Sequence, residues 1–292
     1  MDKNLISIDN HVFIKPEYLN HPHVSGNKLR KLKYNLLEAK KLNKKTLLTF
    51  GGAFSNHIAA VAHAGQENNF QTIGVIRGEE LKDLRTLNST LSVSKACGMQ
   101  FKFVSREHYR HKTSKSFIEQ LEKEFGDFYL IPEGGTNELA VKGCEEILEE
   151  VNEKFDYICC PVGTGGTISG LINASNSNQK IIGFPALKGD FLQEEITKFV
   201  NKNNWELVSD YHFGGYAKIN EDLIQFINRF KKKYNVPLDP VYTGKMMYGI
   251  YDLISKDYFE KDAKILAIHT GGLQGIVGMN AKLKQQNKPL IV

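Results

Sequence analysis

The sequence predicts an α/β fold made of open, twisted, mostly parallel sheets. Three observations point there. Short apolar runs alternate with helix-like stretches along the chain, and strands separated by helices build βαβ units, hence parallel sheets. Several runs end in glycine-rich turns: GGAFSNH at 51–57, PVGTGGTISG at 161–170 and HTGG at 269–272. Strand ends of this kind are where open α/β sheets place their ligands. With 292 residues the chain can bury one or two cores, and two lobes with a cleft between them fit that length.

Taken in order, KLRKLKYNLLEAKK (28–41) reads as a helix, TLLTF (46–50) as a strand ending in two glycines, and IAAVAHAGQEN (58–68) as a helix. QTIGVIR (71–77) is a strand, LNSTLSVSKACG (87–98) a helix closed by Gly98, and QFKFVS (100–105) a strand. SKSFIEQLEKEFG (114–126) is a helix ended by Gly126, and FYLIPEGG (128–135) a strand and turn. LAVKGCEEILEEV (139–151) is helical. FDYICCPVG (155–163) is a strand apolar enough for burial on both faces. TISGLINAS (167–175) starts a helix at the glycine loop, and QKIIGFPAL (179–187) is a strand. DLIQFINRFKKKYN (222–235) is a helix that Pro237 stops, KMMYGIYDLISK (245–256) is a helix, and KILAIHTGG (264–272) is the last strand and loop.

Composition narrows the function classes. The net charge of +5 is mild, and the densest lysine runs (Lys40-Lys41, Lys44-Lys45, Lys231 to Lys233) fall in helix-like residues. Solvated helix faces account for them, and no nucleic-acid-binding motif accompanies the charge. No apolar run approaches a membrane span. MDKNLISIDNHVF lacks a basic region followed by an apolar core, so no secretory signal is expected and the location is expected to be cytoplasmic. Cys97, Cys144, Cys159 and Cys160 form no C-x-x-C pair. They are expected to be reduced and mostly buried, with no metal site.

The chemistry concentrates in a few segments. In PVGTGGTISG, Gly163, Gly165 and Gly166 leave backbone N–H groups unshielded at a helix start, and Thr164 and Thr167 add hydroxyls. Such a loop binds phosphate. It matches neither a Walker loop nor a dinucleotide fingerprint, and a tight turn without ligand is its plain alternative. Lys28 follows Gly26-Asn27 at a helix start, near Arg30 and Lys31. That positive setting lowers an amine's pKa and frees it for a Schiff base; a surface lysine in a basic stretch is the alternative. Ser55 or Asn56 is a helix cap by default. Tyr242-Thr243-Gly244-Lys245 and His269-Thr270-Gly271-Gly272 sit in loops beside element ends. A lysine amine, a phosphate cradle and a polar turn together suggest an aldehyde cofactor with a phosphate handle, pyridoxal 5'-phosphate.

SGNKLRKL (25–32), GGAFSNH, PEGGTN (132–137), PVGTGGTISGL, DPVYTGK (239–245) and HTGG together resemble the 1-aminocyclopropane-1-carboxylate (ACC) deaminase and D-cysteine desulfhydrase family. These are pyridoxal-phosphate enzymes of the tryptophan synthase β-subunit-like fold (fold type II). The resemblance runs from about Ser25 to Gly278. It implies that Lys28 forms the Schiff base and that Asn56 bonds the cofactor's phenolic oxygen. Gly163, Thr164, Gly165, Gly166 and Thr167 would hold the phosphate. Ser55, Tyr216 and Tyr242 would be catalytic on the substrate side, with Asn56 and His57 also binding substrate. Thr243 would face the pyridine nitrogen, with Thr270 also on the cofactor. The implied domains are 1–32 plus 143–292 (large, cofactor-binding) and 33–142 (small), in a homodimer acting on a small amino acid, with no metal.

By the same resemblance, deaminases carry glutamate where Thr243 stands and leucine where Thr270 stands, whereas desulfhydrases carry hydroxyls at both. A carboxylate would keep the ring nitrogen protonated; a hydroxyl leaves it neutral, which suffices when thiolate departs. The expectation is therefore β-elimination of D-cysteine to pyruvate, sulfide and ammonia. ACC deamination is the alternative, and a non-catalytic phosphate-ligand-binding protein a further one. The chain departs from the family in carrying Ala53-Phe54 where isoleucine-glutamine is usual, and in a shortened segment ahead of Lys28.

Overall fold

The computed structural model describes residues 5–83 and 87–292; the first four residues of the segment read for a targeting signal lie outside them. The chain begins with strands β1 (Ile6–Ser7) and β2 (Val12–Lys15), then helix α1 (Asn27–Lys41). There follow β3 (Thr46–Gly52), α2 (Asn56–Glu67), β4 (Gln71–Arg77), α3 (Ser89–Ala96), β5 (Gln100–Val104), α4 (Arg106–Arg110), α5 (Lys115–Phe125) and β6 (Tyr129–Ile131). The second half runs α6 (Glu138–Glu149), β7 (Tyr157–Val162), α7 (Gly166–Ala174), β8 (Lys180–Pro185), α8 (Phe191–Thr197) and β9 (Trp205–Leu207). It closes with α9 (Glu221–Tyr234), α10 (Thr243–Ser255), β10 (Ile265–Ile268) and α11 (Gly275–Gln285).

The strands form two sheets. One has the order β1-β2-β10-β7-β8-β9 and the other β5-β4-β3-β6. Every pairing is parallel except β1 with β2. Parallel sheets need cover on both faces, and β7 shows how the sequence supplies it. Tyr157 and Cys159 enter one core, with residues of α9 and α10. Ile158, Cys160 and Val162 enter the other, with residues of α6 and α7. The adjacent cysteines thus point to opposite faces, and all four cysteines are free. In β3, Leu47 and Leu48 divide between the smaller sheet's two cores in the same way.

The chain leaves the large sheet through α1 and returns through α6, which packs against both α1 and α7. Gly143 makes the first contact possible: a β-carbon there would lie 2.1 Å from the Arg30 carbonyl oxygen. Because all the pairs but one are parallel, the glycine turns after β3, β6, β7 and β10 fall at strand C-terminal ends, where ligand crevices form. Among the described residues, no helix is long and apolar enough to cross a membrane.

Each helix and strand read from the sequence is present, with ends shifted by up to three residues. The sequence reading assigned no element to β1, β2, α4, α8, β9 and α11. These are short, or carry two glycines as α11 does, and so show too little periodicity to register.

Candidate active site

A cleft of about 410 Å³ opens between the two sheets, lined from both. Its walls include Lys28, Ser55, Asn56, His57, Gly163, Thr164, Gly165, Thr167, Tyr216, Tyr242 and Thr270. Segments far apart in sequence therefore converge on one cavity.

Lys28 lies in the first turn of α1. Gly26 caps that helix at φ 70, a conformation that costs glycine little. A β-carbon on Gly26 would also stand 2.0 Å from the Thr270 carbonyl oxygen, so α1 enters pressed against the last loop. Asn27 fixes the entry: its N–H donates to Thr270 O at 3.2 Å and its Nδ2 to Thr167 Oγ1 at 2.8 Å. The Lys28 amine is pulled down to about 7, by burial first and then by the nearby Lys31 cation. A large part of it is neutral, and so nucleophilic, near neutral pH.

At the other end of the cleft, β7 runs into α7 through Gly163-Thr164-Gly165, with Gly165 left-handed at φ 86. No side chain caps α7, which leaves its first N–H groups open to an anion. Lys31, buried, adds a cation there: its Nζ donates to Gly134 O at 3.1 Å, Thr136 Oγ1 at 3.0 Å and Thr164 Oγ1 at 3.4 Å. A β-carbon on Gly166 would lie 3.1 Å from that Nζ. Gly166 thus faces Thr136 and Lys31, while Gly163, Thr164, Gly165 and Thr167 line the open cavity. Lys31 entered the sequence reading only as a neighbour of Lys28. Its spacing of three places it one turn along the same helix face, which was the available signal.

Ser55 is the helix cap, its Oγ accepting from Ile58 N at 3.4 Å, and it also lines the cleft. Asn56 follows. Its buried Oδ1 has no hydrogen-bond partner among the described residues, an arrangement that costs about 1–3 kcal/mol unless a ligand satisfies it. His57 is buried, with Nε2 2.8 Å from Thr49 Oγ1. Burial first, then Lys28 and Lys31, hold its pKa well below 6.5, so the ring is neutral.

Tyr216 and Tyr242 meet edge to face with ring centroids 6.2 Å apart, and burial raises both phenol pKa values. Tyr216 rides on a turn with positive φ at Phe213, Gly214, Gly215 and Ala217. The buried Lys245 of α10 holds that turn, donating to His212 O and Gly215 O at 2.8 Å each.

Thr243 is placed otherwise than expected. It is fully buried and absent from the cleft wall. Its hydroxyl donates to Asp239 Oδ2 at 2.7 Å and accepts from Asp239 N at 2.9 Å. Asp239 also accepts from the N–H groups of Val241, Tyr242 and Thr243. The Thr243 proton is thus taken by Asp239, and of the two threonines only Thr270 lines the cavity. His269 is likewise structural, with Nε2 2.7 Å from Pro237 O and Nδ1 accepting from Gly271 N.

A desolvated amine, an orphaned buried carboxamide, and an uncapped helix start beside a buried cation fit a phosphate-bearing aldehyde. Residues 4–271 match the family model described as pyridoxal-phosphate dependent enzyme. A protein of Pyrococcus horikoshii named putative ACC deaminase is 32% identical, over 93% of this chain and 87% of its own length. The bifunctional D-cysteine desulfhydrase/ACC deaminase of Arabidopsis thaliana, a mitochondrial protein, is also 32% identical, over 91% and 73%. The crystal structure of an ACC deaminase homologue superposes with a TM-score of 0.83 at 29% identity, covering 94% of this chain and 88% of the other.

Proposed function

The chain belongs to the pyridoxal-phosphate dependent enzyme family, and from that premise we propose that it is a lyase that eliminates the β-substituent of a small amino acid, with D-cysteine as substrate and pyruvate, sulfide and ammonia as products. The observation that carries this reading concerns carboxylates. Among the described residues that line the cleft, Glu133 alone is acidic. Its two oxygens are occupied by Tyr109 Oη at 2.8 Å and Lys112 Nζ at 3.2 Å. With the Thr243 proton taken by Asp239, the hydroxyl of Thr270 would be the polar group that the last loop offers a ring nitrogen. A hydroxyl leaves that nitrogen neutral, which is adequate when sulfide departs.

The bound cofactor supplies an electron sink for the pair left at the α-carbon. In this reading Lys28 holds the cofactor and, once released by substrate, takes the α-proton on Nζ; an amine lowered to about 7 is suited to that exchange. Lys31 and the first turn of α7 bind the phosphate. Ser55 and Asn56 orient the substrate carboxylate, with the neutral His57 beneath them. The phenols of Tyr216 and Tyr242 stay protonated and donate hydrogen bonds to the departing sulfur, which leaves as hydrosulfide. The assignment of 33–142 as a small domain and of the protein as a homodimer belongs to the same proposal.

ACC deamination is the second reading, favoured by the names of the relatives above. One experiment separates them: visible spectra of the loaded protein, with product assays on D-cysteine, L-cysteine and ACC. Sulfide from D-cysteine, lost in Lys28→Ala together with the lysine-bound cofactor band, is expected. 2-Oxobutanoate from ACC without sulfide from cysteine would transfer the assignment to the deaminase. A loaded protein that turns over none of the three would leave a binding protein.

A further inference from the structure

The cleft holds a cation that the reaction above does not use. Arg77 is the last residue of β4 and lines the same cavity as Lys28. Its guanidinium lies over the turn that carries Ser55: Nη2 stands 3.7 Å from where a β-carbon on Gly52 would be. The Tyr109 ring supports it from one side, with Cζ 5.8 Å from the ring centroid. No carboxylate among the described residues lies within ion-pair distance of it. The nearby Glu133 is already matched by Lys112 and Tyr109. A phosphate bound at the far end of the cleft would offset the lysines there; Arg77, exposed to solvent, keeps its guanidinium available to an anion in the same cavity. Tyr216 lines the same cavity.

We propose that Arg77 forms a subsite for an anionic β-substituent, so that the protein prefers small amino acids whose side chain ends in a sulfonate or similar oxyanion that departs on elimination, while a carboxylate binds there without a group to expel. The inference rests on the reading of this cleft as an amino-acid site and narrows its substrate class. An arginine fork receives a planar oxyanion with two parallel N–H bonds, and a rigid strand end presents it without a loop's ordering cost. Phe54 and Phe191, both exposed, line the same cleft. D-Cysteine presents charge there only as its thiolate, whereas an acidic amino acid carries it permanently.

The test is a spectral titration of the cofactor-loaded protein with aspartate and asparagine, each as D and L enantiomers. The two amides are near-isosteric with the acids and lack only the charge. For the enantiomer that binds, aspartate is expected to bind on the order of tenfold or more tighter than asparagine. Arg77→Gln brings the ratio to about one by weakening aspartate, and Arg77→Lys restores part of it. A ratio near one in the native protein, or a preference that survives Arg77→Gln, overturns the proposal. The readout is binding, so failure to release sulfide from D-cysteine would count against the elimination reading and leave this ratio to be judged by itself.

Discussion

At the scale of single residues, the site depends on where charge is desolvated. Lys28 and Lys31 sit one helical turn apart, neither paired with a carboxylate among the described residues, and burial lowers both amines. Only Lys31 has three oxygen acceptors, which hold its amine at the phosphate end of the cleft, while Lys28 is left free to react. The sign of the pH effect follows. Below about 7 the Lys28 amine is protonated and unreactive; above it the neutral form attacks an aldehyde. The rate at which cofactor-free protein captures pyridoxal phosphate should rise between about pH 6 and 8 and then level off. Stopped-flow absorbance measures this, and a rise delayed until above pH 9 would show Lys28 to be an ordinary solvated lysine.

At the scale of elements, α10 does two things at once. Its first turn, held by Asp239 through three N–H bonds and the Thr243 hydroxyl, fixes Tyr242. One turn further on, Lys245 reaches the carbonyls of the Tyr216 turn. Both phenols are thereby referenced to one helix, although they come from separate segments. Burial lowers the Lys245 amine to about 8, so the bonds gain less from charge than a solvated ammonium's would. In Lys245→Met the side chain keeps its volume but leaves two carbonyls unsatisfied, at about 1–3 kcal/mol. Turnover should fall roughly tenfold while the cofactor band and its affinity stay unchanged. Steady-state kinetics alongside a cofactor titration checks this; loss of cofactor binding would mean that Lys245 supports the whole lobe and not the tyrosine pair.

At the scale of the molecule, the two sheets are joined by the crossings that carry the site, and one ion cluster ties those crossings together. Arg30 of α1 donates to the buried Glu17 at 2.9 Å and to Glu150, just past α6, at 2.6 Å; Lys15 at the end of β2 also reaches Glu150. The Arg30 hydrogen bond leads the effects that lower the Glu150 carboxyl to about 2. A carboxyl held below its ordinary 4.5 stabilises the fold above that pH, and the contribution is lost as pH falls toward 2. Solvent screening limits it, since Glu150 is 43% exposed. Arg30→Gln should flatten the acid limb of stability. At neutral pH it should destabilise by about 3–5 kcal/mol, because Glu17 is left buried without its cation. Urea midpoints measured from pH 7 to 3 test both parts; an unchanged acid limb would rule out the cluster as its source.

The resemblance of the chain's motifs to a known family pointed to most of the residues that line the cleft; the sequence by itself determined the alternating elements and the glycine turns at strand ends. Those features are written in local periodicity and in backbone requirements such as the positive φ of Gly26 and Gly165. Only the tertiary structure decided how the side chains of those motifs are spent. Thr243 and Thr270 read alike in sequence, yet Asp239 takes the first hydroxyl and leaves the second on the cleft wall. Arg77 reads as the end of a strand, and Lys245 as an ordinary helix lysine. The first lines the cleft with no carboxylate among the described residues at ion-pair distance, and the second reaches carbonyls 30 and 33 residues away. A hydrogen-bond partner or an unmatched charge is a property of the neighbours that folding assembles, and no spacing within the chain encodes it.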